Sequence, residues 1–134
     1  MDIQELRREA QTMQPQLTAD RRRLHRNPEA GAVLPETVAY VKGRLTEMGY
    51  HPQELGGGLT ATVTGTDTGR CILLRADMDA LRGQEQSGLS FRSENGCMHA
   101  CGHDMHTAML LGAAQLLMQR RQELSGTVKL VFQP

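Results

Sequence analysis

Cys71-Ile72-Leu73-Leu74-Arg75-Ala76-Asp77-Met78-Asp79 opens the stretch that decides the fold, and Gly126-Thr127-Val128-Lys129-Leu130-Val131-Phe132 closes it. The run from Cys71 to Leu74 is continuously apolar and bounded by polar residues, the pattern of a strand buried on both faces. Residues 127–132, started by Gly126, read as a second strand. Between them, residues 104–121 carry the strongest helical periodicity, with Met105, Ala108, Met109, Gly112, Ala113, Leu116 and Leu117 on one stripe. Leu110, Leu111, Ala114 and Met118 make much of the other side apolar, which predicts a centrally buried helix. Strand, helix, strand is a βαβ crossover, so the expected fold is α/β, with a mixed, partly parallel sheet flanked by helices.

Upstream, residues 3–26 place Leu6, Ala10, Met13, Leu17 and Leu24 at helical spacing, with Pro15 marking a kink or break between two helical pieces. Asn27-Pro28-Glu29 ends that helix, because a residue before proline avoids the α region. Residues 35–48 predict another helix, with Pro35 in its first turn, Val38, Val41 and Leu45 inward, and Gly49 closing it. A turn at Gly56-Gly57-Gly58 precedes a Thr- and Val-rich strand over 59–64, residues 65–69 read as a turn, and 82–97 read as an irregular surface loop.

Composition narrows the classes of function. Fifteen basic residues balance fifteen acidic ones, so no net field recruits nucleic acid or an anionic membrane. The Arg21-Arg22-Arg23 and Arg120-Arg121 runs lie on helices near acids and read as solvated faces. No apolar run approaches the roughly 18 residues of a membrane span, and residues 1–20 lack an apolar signal core. Three cysteines at uneven spacing argue against a secreted disulfide scaffold, and a reducing, cytoplasmic setting is expected. Cys97 and Cys101 lack the Cys-x-x-Cys spacing of a redox pair, which leaves that reading secondary.

Chemistry concentrates in Met98-His99-Ala100-Cys101-Gly102-His103-Asp104-Met105-His106, where one thiol, three imidazoles and a carboxylate share nine residues. A divalent metal site is the natural reading. Cys101 and His103 would point about 200° apart on a regular helix, so to share an ion they must lie on a turn, which Gly102 permits. A helix amino terminus just beyond favours the thiolate of Cys101 and the carboxylate of Asp104. His99 and His106 could be ligands, donors behind the ligands or surface residues. Asp77 and Asp79, at alternating positions leaving the first strand, share a side; they suit a ligand and an orienting group, or else turn hydrogen bonds and pairing with Arg75 or Arg82. In parallel sheets ligands gather at strand carboxyl ends, so both acids and the Cys/His cluster belong on one rim.

Four stretches, in order, then resemble a known family. Leu24-His25-Arg26-Asn27-Pro28-Glu29, Arg75 through Leu81, Met98 through His106, and Gly126-Thr127-Val128 to Phe132-Gln133-Pro134 are similar to motifs of the metal-dependent amidohydrolases that include hippurate hydrolase, auxin-conjugate hydrolase and N-acyl-L-amino-acid amidohydrolase. The resemblance implies the amino-terminal part of a zinc-peptidase-like catalytic domain. It implies two divalent ions per intact site, zinc or manganese, and a metal-bound water that attacks the carbonyl of an N-acyl amino acid or related amide. Cys101 and His103 match the family's first two metal ligands, Asp77 the position where distant relatives place a ligand histidine, and Asp79 the carboxylate that orients the site. The motif from His25 to Glu29 matches no assigned catalytic role and reads as a helix stop and turn.

In the family, the strand ending at the equivalent of Pro134 is followed by two glutamates, the general base and a metal ligand, and later by two histidine ligands. An inserted domain for dimerisation and substrate closure also follows. None of these lies in residues 1–134, and Arg82 stands where relatives have proline. The expectation is therefore a partial catalytic domain, inactive alone, with a homodimeric parent. The competing expectation is a complete, small metal-binding or interaction module without catalysis.

Overall fold

The computed structural model describes residues 1–134. Helix α1 (Ile3–Thr12) starts at Asp2, whose carboxylate accepts the Gln4 N–H at 2.9 Å, an N-cap that satisfies one of the helix's orphan donors. The break expected near Pro15 falls at Met13, and α2 (Gln14–Arg26) begins with Pro15 in its first turn, where a missing N–H removes no hydrogen bond. Asn27 ends α2 ahead of Pro28, as expected. Helix α3 (Pro35–Glu47) has no side-chain cap from Leu34. Its cap comes from Glu29, whose carboxylate accepts the N–H of Thr37 at 2.7 Å and of Glu36 at 3.2 Å. This part of the Asn27-Pro28-Glu29 motif is thus a helix cap delivered from outside the helix. Glu29→Ala is expected to lower stability by about 1 kcal/mol, read as a lower urea midpoint at unchanged slope.

Strand β1 (Gln53–Leu55) pairs antiparallel with β2 (Gly58–Thr64), and β2 pairs antiparallel with β6 (Ser125–Gln133). On its other side β6 pairs parallel with β3 (Thr66–Asp77), giving the order β1-β2-β6-β3. The predicted crossover and mixed sheet are both present. Three details of the sheet differ from the sequence reading. Strand β1 was not expected, since Gln53-Glu54-Leu55 lacks apolar alternation and is exposed throughout. The turn assigned to 65–69 is mostly strand, with an irregularity between Thr66 and Cys71 that absorbs the extra residues. Gly65 remains a close-approach point, because a Cβ there would run into the Leu124 carbonyl.

The third difference concerns β3 itself. Ile72 and Leu73 are 58% and 57% exposed, so this strand is not buried on both faces. It lies at the sheet edge with β6 as its neighbour, and its burial begins only at Ala76. Within the 82–97 region, β4 (Leu81–Arg82) and β5 (Cys97–Met98) form a short antiparallel pair around an otherwise irregular loop.

Helix α4 (His103–Gln119) fills the crossover and packs against α2 and β3. Its buried face is Thr107, Ala108, Leu110, Leu111, Gly112 and Ala114, while Met105 and Met109 are about half exposed or more. The stripe assigned from periodicity was therefore rotated, a consequence of a helix apolar on most sides. Leu111 and Leu130 are fully buried and Phe132 nearly so, forming the centre of one core with Leu24, Val41, Leu45, Leu59 and Met78. Tyr50 donates its hydroxyl to the Ala114 carbonyl at 2.8 Å, which locks α4 to the turn after α3. No helix is long and apolar enough to cross a membrane.

Candidate metal centre

The carboxyl end of β3 and the amino end of α4 meet on one rim, as the crossover topology requires. Gly102 precedes α4 with φ of +80°, a left-handed conformation that L side chains resist, and so makes the turn that the Cys101–His103 spacing demanded. Met78 N–H donates to the Gln133 carbonyl at 2.8 Å and the Thr107 hydroxyl to the Asp77 carbonyl at 2.9 Å. These bonds fix the acidic segment against both β6 and α4.

On this rim Asp77, His103 and His106 each offer a donor atom, all within 4.8 Å of one another. Donors sharing one tetrahedral ion at about 2.1 Å lie roughly 3.4 Å apart, so the trio needs only side-chain adjustment to close on a cation. His103 donates from Nδ1 to both the Asp79 carboxylate, at 2.8 Å, and the Asp79 carbonyl, at 2.9 Å. That fixes the ring and turns Nε2 toward Asp77 Oδ2, 3.4 Å away. His106 donates from Nδ1 to Asp77 Oδ1 at 2.7 Å and stacks on His103, ring centroids 5.5 Å apart. Partial burial pushes the Asp77 carboxyl up. The His106 hydrogen bond and the nearby His103 and Arg75 outweigh that effect and hold it below the ordinary carboxylate value.

The remaining candidates fall into two groups. Cys101 is an exposed free thiol on the turn, outside the tight trio, and Cys71 and Cys97 are also free. Asp104 and His99 point inward instead. Asp104 is 1% and His99 5% exposed, and Asp104 Oδ1 and both His99 ring nitrogens have no protein partner. Burial drives the His99 imidazole below its ordinary value, which favours the neutral ring.

His25 has a larger place than the sequence reading gave it. Its ring is buried between two carboxylates: Nδ1 lies 2.8 Å from Asp104 Oδ2, and Nε2 lies 2.9 Å from Glu85 Oε1. The ring thus bridges the two acids across the interface between α2, α4 and the loop after β4. Arg21 Nε donates to the same Asp104 oxygen at 2.8 Å. Burial pushes the Glu85 carboxyl up, but hydrogen bonds from the Ser87 hydroxyl, the Ser93 N–H and His25 bring it down to about 2. Neither His25 nor Glu85 was singled out as a partner of the cluster. The available signal was a histidine near the end of an amphipathic helix, with its partners 60 and 79 residues away.

Comparison with known proteins finds a family match over part of the chain. Residues 73–134 match Peptidase family M20/M25/M40. The chain is 46% identical over 126 residues to an N-acetyl-L-cysteine deacetylase of Bacillus subtilis, an alignment covering 92% of this chain and 30% of that protein. It is 50% identical over 117 residues to the IAA-amino acid hydrolase ILR1-like 5 of Arabidopsis thaliana, covering 85% and 27%. Among solved structures, the Bacillus subtilis YXEP protein, described as a dinuclear metal binding peptidase from the M20 family, superposes with a TM-score of 0.87 at 43% identity, covering 92% of this chain and 36% of that one. A putative aminohydrolase from methicillin-resistant Staphylococcus aureus gives 0.93 at 34% identity, covering 98% and 36%. The chain spans about a third of the length of the relatives it matches.

Proposed function

We propose, from the match of residues 73–134 to peptidase family M20/M25/M40, that this chain forms part of the catalytic domain of a metal-dependent amidohydrolase acting on N-acyl amino acids or related conjugates. The observation that carries the reading is the pairing of a metal-competent donor set with its orienting carboxylate on one rim. Cys101 and His103 would hold the ions, with Asp77 as a further ligand or as the group that aims them, and His106 beside them. A thiolate, imidazoles and a carboxylate suit zinc and tolerate manganese. The chemistry supplied by bound ions is Lewis-acid activation of water and neutralisation of charge developing on the scissile carbonyl oxygen.

The chain's own residues do the positioning. Asp79 holds the Nδ1 proton of His103, which leaves Nε2 free to ligate. Arg75 donates to Gln133 at 2.8 Å and pairs with Asp77 at 3.2 Å, so the strand ends keep their carboxylate aimed at the imidazoles. The general base and the remaining ligands of the parent reaction belong to other segments, so residues 1–134 alone are proposed to bind metal without useful turnover. The balanced charge of the chain fits small substrates better than nucleic acid or membranes, and its free thiols fit a cytoplasmic setting. A homodimeric parent is part of the same reading.

Two measurements test it. Cobalt(II) added to residues 1–134 is expected to give a thiolate-to-cobalt charge-transfer band that Cys101→Ser abolishes, and His103→Ala is expected to weaken uptake at least tenfold. Residues 1–134 grafted onto the remaining two thirds of the Bacillus subtilis deacetylase are expected to hydrolyse N-acetyl amino acids in a chelator-sensitive way. A folded, metal-loaded chimera inert toward every N-acyl amino acid would overturn the assignment.

A further inference from the structure

The buried chain from Glu85 through His25 to Asp104 takes no part in the chemistry above, yet it grips the segment that carries the donors. Asp104 directly follows His103, in the first turn of α4. That turn has no side-chain cap, since the residue before the helix is Gly102. Its carboxylate is instead held from α2 by two groups on one face, Arg21 Nε and His25 Nδ1, each at 2.8 Å. Upstream of the turn, His99 is buried with its ring centroid 6.5 Å from that of His25. Residues 99–104 thus lie along His25, hydrogen-bonded to it at Asp104 and neighbouring it at His99, with the exposed Cys101 thiol between. Glu85, buried and bonded by Ser87 and Ser93, anchors the far side of the His25 ring.

We infer that His25 is a positioning residue for the metal centre: acting through Asp104 and against His99, it fixes the turn that presents Cys101 and His103. Helix α2 and the loop after β4 are then working parts of the site although neither supplies a ligand. The inference rests on the proposed metal-binding reading, and its test separates the two.

Cobalt affinity is measured by chelator competition for the wild-type chain, His25→Leu, Arg21→Leu and Leu45→Ala, at a temperature where circular dichroism shows all four folded. Leu45 is fully buried in α3 and outside the network, so it controls for lost stability alone. His25→Leu is expected to bind ten- to a hundredfold more weakly, with an altered cobalt d–d spectrum, and Arg21→Leu about threefold more weakly, while Leu45→Ala stays within twofold. If His25→Leu fails to fold, Arg21→Leu against Leu45→Ala decides. Wild-type affinity in the network variants, or an equal loss in Leu45→Ala, overturns the inference alone. A wild-type chain that takes up no cobalt overturns the metal-binding reading beneath it.

Discussion

His25→Leu is expected to cost roughly 3–5 kcal/mol of folding stability, because it strips one partner from each of two fully buried carboxylates. Asp104 would keep Arg21 and Glu85 would keep Ser87 and Ser93, which places the loss toward the lower end of that range. Urea unfolding reads the effect directly. A second signature lies in its pH dependence. The Glu85 carboxyl has an ordinary value of 4.5 and is held at about 2 in the folded chain, so the unfolded chain binds its proton more readily. The stability contributed by this group is complete above about pH 4.5 and is lost as pH falls toward 2. Removing His25 weakens the depression, so the acid-side slope of stability in that window is expected to be shallower in the variant. Identical slopes in both proteins would show that Ser87 and Ser93 alone set the Glu85 environment.

Phe132→Ala is the second large effect, expected at roughly 3–5 kcal/mol. Phe132 is 1% exposed and sits on the central strand β6, opposite Leu59 of β2 and Ala76 of β3. Truncation leaves a void in the shared core, and its close-packed neighbours can relax into that void only in part. The comparison is Lys129→Ala on the same strand, which is exposed and is expected to change stability by no more than about 0.5 kcal/mol. A cost below about 1.5 kcal/mol for Phe132→Ala would contradict its central place in the core.

The βαβ crossover was legible because strand, helix and strand each announce themselves by local pattern, and connectivity then restricts the topology. The turn between Cys101 and His103 was legible for a similar reason, since two donors two residues apart cannot converge from a helix. What a strand is buried against is not local. Cys71 to Leu74 looks like a central strand but stands at the edge here, because its exposure depends on neighbours that periodicity does not encode. The α4 stripe erred because Leu110, Leu111 and Ala114 compete with Met105 and Met109 for the inner face, and only packing against β3 and α2 decides. The Glu85–His25–Asp104 chain was illegible because its members lie up to 79 residues apart and each has an ordinary local explanation. Cys101 and His103 were named from spacing and resemblance, whereas the tight Asp77–His103–His106 grouping needed coordinates.

Strand β6 is the hub of the sheet and, of the four strands that residues 1–134 contribute to it, the last to leave a ribosome. Between the synthesis of β3 and that of β6, β2 can pair only with β1, and β3 has nothing to pair with. Roughly 50 residues separate the two strands, so at about 5–20 residues per second the nascent chain carries the apolar 71–74 run of β3 unpaired for several seconds. Any slowing of translation between codons 78 and 124 lengthens that exposure.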